Sequence, residues 1–237
     1  MNYAVIVAGG IGSRMGAELP KQFLEVGGKP ILVHSVLKFA NIDEIERIVV
    51  LTPAEWLDYA KTILAQHLES ATMRRVDLVA GGETRNETIM NAIDFIEAYY
   101  GLDDETVVIT HDAVRPCVTE EIIRGNIEAV KKYGAANTAV PATDTILQSA
   151  GGEVIDAVPN RSELFNCQTP QTFLAMELRE TYLSLSDEEK ASLTDATKIY
   201  VLKGKPVKLV MGSYANIKIT YPEDLQIAEA LLTKTSS

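Results

Sequence analysis

The sequence predicts an α/β protein: one Rossmann-like domain with a mostly parallel central sheet, helices on both faces and a projecting β-arm. Two observations carry this expectation. Short β-rich runs alternate with longer helical ones through the first two-thirds of the 237 residues, a pattern that packs as parallel strands joined by helical crossovers. A glycine-rich turn directly follows the first run, at the carboxyl edge where open sheets of this class bind ligands.

Taken in order, strands are expected at residues 3–8, 47–51, 75–79, 107–111 and 137–141. Helices are expected at 31–39, 54–68, 87–99 and 120–132. Ile31, Val33, Val36 and Leu37 recur with roughly helical spacing. Thr119 before Glu120 and Glu121 suits a helix start, because the cap and both acids complement the positive end. The pattern changes after Pro141. Residues 144–148 and 153–158 flank a Gly151-Gly152 turn, which reads as a hairpin with too few large apolar residues to join a core. This arm, at about 143–160, is expected to project. Ser186-Asp-Glu-Glu189 has capping-box spacing and opens a further helix. Strands near 207–211 and 217–220 follow, and Thr220-Tyr-Pro-Glu223 begins a terminal helix with Leu225, Ala228, Leu231 and Leu232 on one side. With no repeat and no linker, residues 1–237 are read as a single domain.

Composition narrows the function classes. The net charge of −11 argues against general binding to nucleic acid or an anionic membrane surface. No run of about 18 apolar residues marks a membrane span, and no basic leader precedes an apolar stretch. A cytoplasmic protein is expected. Cys117 and Cys167 form no metal-ligand spacing and are read as reduced packing residues.

The most informative segment is Ala8-Gly-Gly-Ile-Gly-Ser-Arg-Met-Gly16, followed by Leu19-Pro-Lys-Gln-Phe23. Gly9, Gly10 and Gly12 let backbone N–H groups approach phosphate oxygens, and Arg14 and Lys21 add two cations. A dinucleotide fingerprint starting at Gly10 would need glycine where Met15 stands, and no Gly-Lys-Ser/Thr ends the segment as a P-loop requires. Asp112 closes the fourth strand and points to the same sheet edge, where a carboxylate can hold Mg²⁺ against phosphates. The bland alternative is that it caps the next turn or pairs with Arg115. His111 would face the other way and is read as packing.

The glycine segment resembles the signature of the sugar-nucleotide cytidylyltransferases. The similarity extends through Gly81-Gly-Glu-Thr-Arg-Asn86, His111-Asp-Ala-Val-Arg-Pro116, Gln168-Thr-Pro-Gln171 and Asn216-Ile-Lys-Ile-Thr220. The resemblance implies transfer of a cytidylyl group from CTP to a polyol phosphate with Mg²⁺ or another divalent cation. It places Val7, Ala8, Gly9, Gly10, Gly12, Gly82, Arg85, Asn86, Thr88, Asp112 and Ala113 around CTP, with Asp112 on the metal, Arg85 near the triphosphate and Thr88 near the base. Arg161, Thr169 and Lys218 would hold the acceptor phosphate. Arg14, Lys21, Arg161 and Lys218 would carry the catalysis. It further implies a homodimer joined through the arm, with Arg161 reaching the neighbouring subunit's pocket.

Two branches of that family compete for the acceptor. The erythritol branch commonly reads Ala-Ala-Gly, His-Asp-Ala-Ala-Arg-Pro and Thr-Asp-Glu-Ala where this chain has Ala8-Gly9-Gly10, His111-Asp-Ala-Val-Arg-Pro116 and Thr194-Asp-Ala-Thr-Lys198. Arg85-Asn-Glu-Thr-Ile-Met90 also resembles the ribitol branch, though Ala113 stands where that branch can carry serine. Ala215 replaces an aspartate that can precede Asn-Ile-Lys in the erythritol branch. Ribitol 5-phosphate is therefore the expected acceptor, with teichoic acid synthesis as its setting, and 2-C-methyl-D-erythritol 4-phosphate is the alternative. A non-catalytic nucleotide-binding protein of the same fold is the rival from another class.

Overall fold

The computed structural model describes residues 1–10 and 19–234. The chain opens with β1 (Asn2–Val7), then a small hairpin of β2 (Glu25–Val26) and β3 (Lys29–Pro30), then α1 (Ile31–Ala40). Next come β4 (Ile45–Thr52), α2 (Leu57–His67), α3 (Ser70–Met73), β5 (Val76–Ala80), α4 (Arg85–Tyr100), β6 (Val107–Asp112), α5 (Glu120–Tyr133) and β7 (Ala135–Pro141). The last third holds β8 (Phe165–Leu174), α6 (Ala175–Leu183), α7 (Asp187–Ala191), α8 (Thr197–Leu202), β9 (Lys208–Met211) and α9 (Glu223–Lys234). Seven strands make one sheet in the order β5-β4-β1-β6-β8-β7-β9. Only β8 runs against the others. The mostly parallel sheet predicted from the alternation is present.

Strand alternation divides the core. Tyr3 and Val5 of β1 pack with α4, α6 and α8 on one face, while Ala4 and Ile6 pack with α1, α2 and α5 on the other. All four are fully buried, as a parallel sheet covered on both sides requires. A third cluster joins Val26, Ile31, Val114, Ile219 and Ala228, so α9 and the small hairpin pack beneath the carboxyl edge of β6. Helix starts follow local chemistry. The Thr119 hydroxyl accepts the Ile122 N–H at 3.4 Å, and Ser186 and Glu189 form the expected reciprocal capping box. A second such box, Thr84 with Glu87, starts α4 at Arg85 instead of residue 87.

Four expectations are corrected. The arm does reverse at Gly152, whose φ of +76° suits glycine, but it forms one isolated bridge, Gln148 with Ala157, instead of two strands. Its Ile146, Leu147, Val154, Ile155 and Val158 are exposed, and a two-stranded ribbon without a covered face does not hold a ladder. Residues 217–220 are not a strand: Ile219 N–H donates to Val114 O at 2.9 Å, beyond the end of β6, where no strand remains to pair. Cys117 is buried as expected but Cys167 is exposed, with its thiol donating to Asn137 Oδ1 at 3.3 Å. Finally, β8 was not expected, because Phe165-Asn-Cys-Gln-Thr-Pro-Gln-Thr-Phe-Leu174 is polar and holds a proline. Pro170 is accommodated where the β7 ladder shifts, between Asn137 and Ala139, and beyond the last β6 partner, so its missing N–H costs no ladder bond.

Candidate functional site

The carboxyl ends of β1, β5 and β6 open onto one cleft. Val7 and Asp112 are the last registered partners of β1 and β6, and Ala80 ends β5 before Gly81-Gly82. The cleft is lined by Val7 at the end of β1, by Ala8, Gly9, Gly10 and Lys21 after it, by Gly82 and the α4 residues Arg85 and Thr88, and by Asp112 and Lys218. A net −11 chain thus concentrates three cations, Lys21, Arg85 and Lys218, in a cleft lined by two carboxylates, Asp112 and Glu83. Such focusing attracts a polyanion against the overall charge.

Asp112 is 7% exposed. Its Oδ1 accepts Arg85 Nε at 3.1 Å and its Oδ2 accepts Lys218 Nζ at 2.8 Å. Burial alone would raise its carboxyl, but Arg85, Lys218 and Arg115 together hold it well below the usual carboxylate range. Asp112 is therefore charged at every ordinary pH. Arg115 does not touch this carboxylate through its side chain; its Nη1 donates to Asn216 O at 2.8 Å. Asn216 in turn donates to Thr169 O at 2.9 Å, which anchors the segment that delivers Lys218.

Beneath the carboxylate lies a closed chain of hydrogen bonds. Thr169 Oγ1 accepts the Asp112 N–H at 3.2 Å and lies 2.9 Å from His111 Nδ1. His111 Nε2 lies 3.1 Å from Arg115 O. A carbonyl only accepts, so Nε2 carries the proton and Nδ1 accepts from the Thr169 hydroxyl. Burial pushes His111 down to about 4, so the ring is neutral packing, as read from the sequence.

The remaining residues separate into those in the cleft and those behind it. Thr169 is buried with its hydroxyl engaged by the Asp112 N–H and His111, beneath Asp112 and outside the cleft lining. Ala113 is fully buried, and its N–H donates to Val7 O. Asn86 is 4% exposed and does not line the cleft. Thr88 lines it, but its hydroxyl accepts the Gly82 N–H at 3.0 Å and donates to Thr84 O at 2.9 Å. Gly82 is demanded by this close approach, since a Cβ there would lie 2.5 Å from Glu87 Cβ. Arg161 lies outside the cleft at the foot of the arm, exposed, donating to Thr143 O at 2.9 Å. Gly12 and Arg14 lie outside the described residues. The sequence reading missed Gln22, Glu83, Thr84 and Val114, which also line the cleft. Gln22 ties the loop together by donating to Ala8 O at 2.7 Å; its place beside Lys21 was the available signal.

No three His, Cys, Asp or Glu side chains converge as a metal cage among the described residues. Asp112 alone fits a divalent cation that draws its other ligands from phosphates and water, the usual arrangement for Mg²⁺. Each of its oxygens retains acceptor capacity beside its cationic partner.

The fold has known counterparts. Residues 2–234 match the family model described as IspD: 2-C-methyl-D-erythritol 4-phosphate cytidylyltransferase. The chain is similar to the 4-diphosphocytidyl-2C-methyl-D-erythritol synthase of Anaerococcus prevotii, at 30% identity, TM-score 0.77 and coverage of 98% of this chain and 96% of that one. It resembles the Francisella tularensis 2-C-methyl-D-erythritol 4-phosphate cytidylyltransferase at 27% identity and TM-score 0.80, over 97% and 99% of the two chains. The Thermus thermophilus enzyme of the same name matches at 27% identity and TM-score 0.74, over 98% and 100%.

Proposed function

The chain belongs to the IspD family of cytidylyltransferases, and on that premise we propose that it transfers the cytidylyl group of CTP to 2-C-methyl-D-erythritol 4-phosphate, releasing pyrophosphate. The observation that carries the reading is the convergence of Lys21, Arg85, Lys218 and Asp112 at the glycine loop. The substrate for which the family is named supports this acceptor, and with it an isoprenoid setting, over the ribitol 5-phosphate expected from the sequence.

In this reading an acceptor phosphate oxygen attacks the α-phosphorus of CTP in line. The new P–O bond forms as the bond to the β-phosphate oxygen breaks, and the electron pair leaves with pyrophosphate. No covalent intermediate is needed. Catalysis comes from positioning and from charge already in place before reaction. Lys21 and Arg85 meet the triphosphate, with Arg14 expected from its motif to join them. Lys218 turns from Asp112 to the acceptor phosphate, and Arg161 is assigned to the same phosphate in a neighbouring subunit. Asp112 would hold a divalent cation, which neutralises phosphate charge when bound.

A second reading rests on Val114. It lines the cleft where the erythritol branch commonly carries alanine, and a bulkier side chain at that position favours ribitol 5-phosphate in this reading. Pyrophosphate release with CTP and each acceptor separates the two. At least about tenfold higher kcat/KM for the methylerythritol substrate is expected, the scale of a little over 1 kcal/mol in discrimination. A reversed ratio replaces the acceptor, and silence with both leaves the non-catalytic alternative.

A further inference from the structure

Arg85 is held by more than its carboxylate. Its Nη1 donates to Gln171 Oε1 at 3.0 Å, while Nε donates to Asp112. The remaining nitrogen, Nη2, is buried and has no hydrogen-bond partner among the described residues. A buried guanidinium donor left unpaired is costly, and two of the three nitrogens are spent on fixing where the third lies.

Gln171 is itself fixed. It is 1% exposed, and arginine offers only donors, so the amide must turn its oxygen to Arg85 and its nitrogen away. That Nε2 donates to Asn137 Oδ1 at 2.8 Å and to Thr197 Oγ1 at 2.7 Å. Thr197 closes the ring by donating to Asn137 Oδ1 at 2.9 Å. Every donor has an acceptor and no flip satisfies the set equally well. Thr197 starts α8, in a segment where this chain departs from the Thr-Asp-Glu-Ala pattern; alanine at 197 would lack the hydroxyl that braces the amide.

We propose that Gln171, braced by Asn137 and Thr197, is a positioning residue that holds the Arg85 guanidinium at the cleft wall for the phosphates of the nucleotide. The inference rests on Arg85 being a CTP contact. β8 thereby serves the site from behind, and the α8 start bears on nucleotide binding without touching the nucleotide.

A double-mutant cycle with kcat and the KM values of both substrates tests this. Arg85→Ala should lower kcat/KM for CTP about 100-fold, and Gln171→Ala about tenfold, through KM for CTP and not KM for the acceptor. In the Arg85→Ala background, Gln171→Ala should add less than about twofold, because a residue acting through another has nothing left to position. Should Gln171→Ala fail to fold, as thermal melting would reveal, the milder pair decides. Thr197→Ala should cost about threefold with Arg85 present and nothing without it, whereas Thr197→Ser should match the parent. Full activity in Arg85→Ala would overturn the premise and the inference with it. An impaired Arg85→Ala whose loss multiplies with that of Gln171→Ala or Thr197→Ala would leave the premise standing and sink the positioning role.

Discussion

Asp112 and His111 are adjacent on β6, and the alternation of a strand sends them to opposite ends of one problem. Asp112 faces the cleft and stays charged because three cations outweigh its burial. His111 faces the interior and stays neutral because burial outweighs the Arg115 carbonyl and the Asp112 charge that favour its protonated form. The second fact makes stability depend on pH. The folded histidine titrates near 4 against an ordinary 6.5, so between those values the unfolded chain binds a proton that the folded chain refuses. Stability is flat above about pH 6.5 and falls as pH drops toward 4. The cost between pH 7 and pH 5 is about 2 kcal/mol. Denaturant melts at both pH values should show a smaller difference in His111→Gln than in the parent. Equal differences would assign the effect elsewhere, with His34, also lowered by burial, the first group to test.

Among the elements, three helix starts carry their own chemistry, whereas β8 borrows its own from distant residues. The Thr119 cap, the Ser186–Glu189 box and the Thr84–Glu87 box each satisfy orphan N–H groups within a few residues, so each can be read locally. Thr119 caps α5 and does not line the cleft. Thr119→Ala should cost about 1 kcal/mol, a drop of about 2–4 °C in Tm for a chain of this size, with kcat/KM unchanged. A loss of activity without loss of Tm would tie α5 to the site. In contrast, β8 is held by β6 on one side and β7 on the other. Its Gln168, Thr169 and Gln171 are buried because each finds a polar partner across the sheet. Such partners come from residues 30 or more positions away, and nothing in the local run announces them.

For the whole molecule, the open question is how the arm is covered. Its apolar side chains are exposed, and so is Phe165 at the start of β8. We propose that a second copy covers them about a two-fold axis, the commonest closed arrangement, and that Arg161 serves the partner's cleft. Lys21→Ala and Arg161→Ala should each be inactive, yet regain activity when unfolded together and refolded. Random pairing makes half the dimers mixed with one intact site each, so about a quarter of the parent activity should return. Inactive mixtures in which mixed dimers are demonstrated would return Arg161 to its own subunit. Among the described residues no helix is long and apolar enough to cross a membrane.

The sequence by itself determined the alternation, the parallel sheet and the position of the glycine loop at its carboxyl edge, because hydrophobic periodicity and glycine chemistry act over a few residues. It also placed Asp112 and His111 on opposite sides of that sheet, since strand alternation settles which way neighbours face. Only the tertiary structure decided who pairs with whom. Asp112 meets Arg85 from 27 positions away and Lys218 from 106, not its near neighbour Arg115, and Thr169 turns beneath the carboxylate instead of into the cleft. These choices depend on where β8 and the segment around Lys218 come to rest. Both are positioned by hydrogen bonds between distant residues, whose partners are fixed only when the sheet is assembled.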